Sequence, residues 1–174
     1  MKAIVLGIDP SGSFKEGKGT TGFCILDAES YSIIRSAELS AKSFTCQEDY
    51  WFAHIQYILD LQKEFDGDIL LSIEDYVLYG NKASSQVNSS METSQLIGVI
   101  KVACRTNDIR YTIRNASIAK ARWTNEILEK LGHVTKKGNR YTNSVGQRMN
   151  AHKLDSLRHA LHAAHFENKE EKWY

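Results

Sequence analysis

Proline is almost missing from this chain, Pro10 being the only one. That scarcity argues against linkers and disordered tails, which are enriched in it. Cysteine is nearly as rare. Cys24, Cys46 and Cys104 are odd in number and widely spaced, with no C-x-x-C pair. A disulfide framework or zinc knuckle is therefore not expected, and buried thiols in a reducing cytoplasm are. No run approaches the roughly 20 apolar residues of a membrane span. The opening, Met1-Lys2-Ala3-Ile4-Val5, enters a strand-like run at once and lacks the layout of a signal peptide. What remains is ordinary globular composition, 42% hydrophobic and 25% charged over 174 residues. Residues 1–174 are expected to form a single domain, long enough to bury a core without staples.

The net charge of +1 hides an asymmetry. Residues 101–148 carry eleven Lys or Arg against three Asp or Glu, a local excess of +8, while residues 66–100 carry one against five. A basic segment beside a carboxylate-bearing remainder suits a polyanion handled through metal. A solvated basic surface is the plainer alternative.

Residues 3–9 form a continuous apolar run ending in Asp9, which reads as a buried strand. A Gly/Ser/Lys-rich turn follows, then strands over 21–27 and 31–39. Three strands with short connections predict an antiparallel meander. Trp51, Ile55, Ile58, Leu59 and Phe65 recur at helical spacing within 47–65, with Gly67 as a candidate C-cap. Residues 68–73 are a second buried strand, followed by Glu74 and Asp75, and residues 77–90 read as a polar loop. Further expectations are a helix over 92–106, a short strand over 110–113 and a helix over 117–131. Asn115 or Ser117 would cap that helix and Gly132 end it. A loop over 138–146 and a helix over 150–166 complete the chain. The order β-β-β-α-β-α-β-α-α predicts an α/β fold: a mixed sheet with helices on both faces.

Two buried-looking strands each end in an acid, Asp9 and Glu74. In open α/β sheets, sites form at the carboxyl ends of strands. If these strands are adjacent and parallel, the acids lie side by side. Like charges that close repel unless a cation sits between them, and hard Mg2+ takes carboxylate and water ligands. The alternative is a turn cap at Asp9 and a solvated strand end at Glu74. On the last helix His152 and Asp155 are three apart and share one surface, flanking the apolar stripe of Leu154, Leu157, Leu161 and Ala164. His159 and His162 continue that flank. A surface ion pair would also explain His152 and Asp155. A zinc set of His152, Asp155 and His159 has the ligand types but no obvious fourth member.

These residues together resemble a known family. G-I-D-P-S-G-S at 7–13 and T-G-F at 21–23, I-E-D at 73–75, S-Q-L-I-G-V at 94–99 and H-K-L-D-S-L-R-H-A at 152–160 occur in the order and spacing of RuvC-like Holliday junction resolvases of the phage type. The resemblance implies a ribonuclease H-like fold, with three antiparallel and then two parallel strands in a five-stranded sheet. It implies an endonuclease that resolves four-way junctions and other branched DNA by two-metal-ion hydrolysis. Asp9, Glu74, His152 and Asp155 would be its catalytic and metal-binding positions. Two Mg2+ ions per site are implied, with Mn2+ able to substitute. It further implies a homodimer, for which residues 92–106 are the candidate helix, and residence in the cytoplasm, the host's if phage-encoded. No membrane partner or nucleotide cofactor is implied.

Three departures from bacterial RuvC stand out. The loop 11–19 is longer and carries Lys15 and Lys18. Val77 stands where an aromatic contacts junction bases, so Tyr76 or Tyr79 is the candidate substitute. The lysines before the last helix have only approximate counterparts in Lys120, Arg122, Lys136 and Lys137, and with Arg140 these form the expected DNA-binding set. Competing readings are a related nuclease acting on RNA–DNA hybrids or broadly on branched DNA, and a catalytically inactive junction-binding module. A nucleotide-binding protein of the actin and sugar-kinase type shares the G-I-D opening but needs a longer chain.

Overall fold

The computed structural model describes residues 3–66, 68–77 and 91–166. Its centre is a five-stranded sheet of order β3-β2-β1-β4-β5. The strands are β1 (Ile4–Asp9), β2 (Thr20–Asp27), β3 (Ile33–Ser40), β4 (Ile69–Glu74) and β5 (Arg110–Arg114). β1, β2 and β3 pair antiparallel, whereas β1–β4 and β4–β5 pair parallel. The continuous apolar runs of β1 and β4 follow from burial on both faces.

Side chains alternate across a strand, and the two faces collect separate cores. Ile4, Leu6 and Ile8, with Leu71 and Ile73, pack beneath α1 (Gln47–Glu64) and α2 (Glu92–Thr106). Val5, Leu70, Cys24 and Leu26 pack against Trp123, Leu128 and the last helix. That second layer contains α3 (Ala116–Arg122), α4 (Asn125–Lys130) and α5 (Ala151–Phe166). No helix of the described residues is long and apolar enough to cross a membrane.

Two expectations are corrected. The single helix over 117–131 is two. Trp123 leaves helical geometry at φ −114°, ψ 70°, and Thr124 starts α4 by accepting from the Ile127 N–H at 3.4 Å. A threonine hydroxyl in that position offers the backbone an N-cap in place of continued helix. The loop expected over 138–146 instead contains the middle strand of a second sheet, formed by β6 (Val134–Lys137), β7 (Arg140–Asn143) and β8 (Arg148–Met149). Gly138 turns the β6–β7 hairpin at φ +60°. The readable signal was Gly138-Asn139, a hairpin dipeptide, but strands of two to four residues are too short to show an alternation. The expected cap at Gly67 and most of the loop over 77–90 lie outside the described residues.

A polar network ties the small sheet to β3. Gln147 Oε1 accepts from the Ser36 N–H at 2.8 Å and the Ser36 hydroxyl at 3.0 Å. Asn143 Nδ2 donates to Ser36 Oγ at 3.2 Å and to Gln147 Oε1 at 3.1 Å. The side chain of Gln147 thus supplies an acceptor to β3, an edge strand of the five-stranded sheet.

Candidate active site

Asp9 and Glu74 lie on the α5 face because of strand alternation. Asp9 is in phase with Val5 and Gly7, and Glu74 with Leu70 and Ser72. β1 and β4 run parallel in the register Ile8↔Ile73, so the two acids follow at neighbouring strand ends.

Helix α5 reaches them because glycine lets it. A Cβ on Gly7 would stand 1.9 Å from the Ser156 carbonyl oxygen and 2.7 Å from Ala160 N. A Cβ on Gly22 would stand 2.3 Å from the His152 carbonyl carbon. Helix backbone therefore rests directly on strand backbone at both points, a role for which glycine alone has room. Residues 152, 155 and 159 then fall along one helix surface over the strand ends.

Each acid has a basic partner. His152 Nδ1 lies 2.7 Å from Asp9 Oδ2, and His159 Nε2 lies 3.2 Å from Glu74 Oε2. Lys120 Nζ lies 2.9 Å from Asp155 Oδ2, while Arg158 donates to Asp155 Oδ1. Arg158 also donates through Nε to the Trp123 carbonyl at 2.9 Å and through Nη2 to Asn125 Oδ1. It therefore locks the carboxylate to the break between α3 and α4.

The acids are close enough to feel one another. Burial pushes the Asp9 carboxyl above its ordinary pKa, the His152 hydrogen bond opposes this, and the charges of Glu74 and Asp155 add to the rise. The bond to Asp9 lifts the His152 pKa against the effect of burial. Burial pulls the Lys120 ammonium down, yet its bond to Asp155 and the charges of Asp155, Glu74 and Asp9 hold it above its usual value. Side-chain exposure of the three acids is only 14%, 19% and 15%, so water compensates them poorly. Carboxylates that repel in a half-buried cleft suit a hard divalent cation. The donor set therefore fits such an ion. With the acids turned onto their basic partners, no group of three His, Cys, Asp or Glu among the described residues is arranged to hold one.

The other expected positions scatter. Lys120 belongs to this cluster rather than to a separate surface. Arg122 ends α3 with its guanidinium 6.0 Å from the Trp123 ring centroid and 5.8 Å from that of Phe166. Lys136, Lys137 and Arg140 are exposed on the β6–β7 hairpin. Tyr76 lines a cleft of about 240 Å³ beside Glu74, with Pro10, Asp75, Val77, Thr93 and Ala116. Tyr79 lies outside the described residues. His162 points elsewhere, its ring 4.8 Å from that of Phe166. Sequence reasoning missed Arg158 and gave His159 no acid partner. The usable signal was spacing, since His159 stands seven after His152 and four after Asp155, one helix face.

No protein-family model and no curated protein matches the sequence. Solved structures do match. The chain is similar to "T. thermophilus RuvC in complex with Holliday junction substrate" with a TM-score of 0.66, at 14% identity over 98% of this chain and 99% of that one. A second, "Thermus thermophilus RuvC structure", gives 0.64 at 14% identity with the same coverage. The fold is that of RuvC. The expected ribonuclease H-like sheet, three antiparallel strands followed by two parallel ones, is what the chain forms. At this identity the likeness to RuvC is one of fold, and the chemistry must be argued from the side chains.

Proposed function

We propose that this chain is a divalent-metal-dependent endonuclease that resolves Holliday junctions and other branched DNA. The observation that carries the reading is the convergence of Asp9, Glu74, His152 and Asp155 at the carboxyl ends of β1 and β4 in a RuvC-like fold. Asp9, Glu74 and Asp155 would hold the ions, with His152 as a fourth donor. Bound there, divalent cations, two per site as the family resemblance implies, would activate water and offset charge on the leaving oxygen. Mg2+ fits the carboxylates, and Mn2+ the added imidazole. With a cation held by Asp155, the half-exposed Lys120 ammonium that now pairs with that carboxylate would be available to a phosphate. Arg158 keeps the carboxylate aimed.

The exposed Lys136, Lys137 and Arg140, with Arg122, supply the positive surface for DNA backbone, and Tyr76 or Tyr79 a ring for an unpaired base. α2 presents Gly98, Val99 and Val102 on its open side, with Val102 68% exposed. A second copy packed there would make the homodimer that places two sites for two strands.

A second reading is a junction-binding module without catalysis. It is favoured by the pairing of Asp155 with two cationic side chains. One experiment separates the readings. An immobile four-way junction, a fork, a linear duplex and an RNA–DNA hybrid are incubated with the protein in Mg2+ and in Mn2+, with Asp9→Asn as control. Paired cuts in the junction, absent in Asp9→Asn, are expected. Junction binding without cutting in either metal would establish the inactive module. Preferential cutting of the hybrid would move the protein to ribonuclease chemistry.

A further inference from the structure

Within the acid cluster the two histidines differ in setting. His152 is 43% exposed at its side chain, whereas His159 is 1% exposed. The Nδ1 atom of His159 is buried with no hydrogen-bond partner among the described residues, while its Nε2 lies 3.2 Å from Glu74 Oε2. Only a hydrogen on Nε2 pairs this ring with the carboxylate, as an Nε2–H donor to Glu74 Oε2. An Nδ1–H would be a buried donor without an acceptor, which is costly.

We propose that His159 is the positioning residue for Glu74: a buried Nε2–H donor that holds Oε2 and leaves the other carboxylate oxygen for a cation. This rests on the metal-dependent reading of the site. Asp155 contrasts with it. Lys120 and Arg158 both orient that carboxylate and offset its charge. On Glu74 the orienting donor is the buried imidazole of His159. Burial makes the placement firm. The close approach of Gly7 to Ser156 and Ala160 seats this turn of α5 on the sheet, and the His159 side chain there is 1% exposed. Donors that orient a metal-binding carboxylate commonly matter about 10–100-fold in metal affinity or activity.

The test measures Mn2+ binding to the DNA-free protein by electron paramagnetic resonance, for wild type, Glu74→Gln, His159→Leu and His159→Gln. Urea unfolding of each checks the fold. Leucine keeps the apolar bulk and removes the donor, while glutamine places an N–H near the former Nε2. Wild type should bind, and Glu74→Gln should weaken binding at least tenfold. His159→Leu should weaken it about tenfold or more, and His159→Gln should restore most of that affinity. If Glu74→Gln binds Mn2+ as wild type does, the metal reading fails and this proposal with it. If Glu74→Gln binds more weakly but His159→Leu does not, only the positioning role is overturned. Equal weakening in His159→Leu and His159→Gln would also overturn it, because packing rather than the N–H would then matter. Should His159→Leu fail to fold, the wild-type ring decides by nitrogen-15 NMR. A proton on Nε2 is expected, and its absence there refutes the proposal.

Discussion

Burial and the charges of Glu74 and Asp155 raise the Asp9 carboxyl pKa, so the folded state binds a proton there more readily than the unfolded chain. Stability then falls as pH climbs from the ordinary value of 3.8 through the raised one. Asp9→Asn should therefore abolish cleavage, leave junction binding nearly intact and raise the melting temperature in EDTA. For a chain this long, each kcal/mol recovered is about 2–4 °C in Tm. A folded Asp9→Asn that failed to bind as well as to cleave would contradict a purely catalytic role. His54 shows the opposite sign in a different place. Its Nδ1 donates to the Tyr50 carbonyl at 2.7 Å and its Nε2 accepts from Thr21 Oγ1 at 2.8 Å, and burial lowers its pKa to about 4 against the Tyr50 bond. The unfolded chain takes up this proton near pH 6.5 and the folded one does not, so stability is lost as pH falls from 6.5 towards 4. The loss amounts to about 3 kcal/mol at about 1.4 per pH unit. Urea midpoints at pH 7.0, 5.5 and 4.5 should show that decline in wild type and a shallower one in His54→Gln. Parallel declines would assign the acid limb to other groups.

Among the elements, the β6–β7 hairpin separates most clearly what the sequence carried from what it hid. Lys136, Lys137 and Arg140 were legible as charge, but not as a hairpin, because β6 and β7 are four residues each and mostly exposed. The split of the helix at Trp123–Thr124 was hidden for another reason. Trp123 leaves the helix to enter the core at 4% exposure, and Arg158 takes its carbonyl; the demand comes from tertiary packing, which local propensity does not contain. By contrast β1, β4 and their terminal acids were plain, since buried strands declare themselves as apolar runs. Replacing Lys136, Lys137 and Arg140 by Ala should weaken DNA binding and reduce the salt slope by about 0.9 for each phosphate no longer neutralised. Affinities measured from 50 to 200 mM salt check this, and an unchanged slope would remove the hairpin from the DNA surface.

For the molecule as a whole, the open side of α2 is where a second copy is proposed. Val102→Glu should shift sedimentation from dimer to monomer and convert paired cuts in a junction into single nicks. An unchanged sedimentation coefficient would place the interface, if any, elsewhere. The helix was read correctly from periodicity, but which of its apolar residues face outward was not readable. Leu96, Ile97 and Ile100 are buried, whereas Val99 and Val102 are not, and only the position of the sheet decides which is which. The close approaches at Gly7 and Gly22 have a different bearing. There α5 is seated on the sheet by peptide atoms, which every amino acid shares, and not by side chains that must fit. Such a frame keeps its shape while most letters of the text are exchanged, provided two glycines stay glycine. Likeness of this kind fades from spelling long before it fades from form, which is how a TM-score of 0.66 can accompany an identity of 14%.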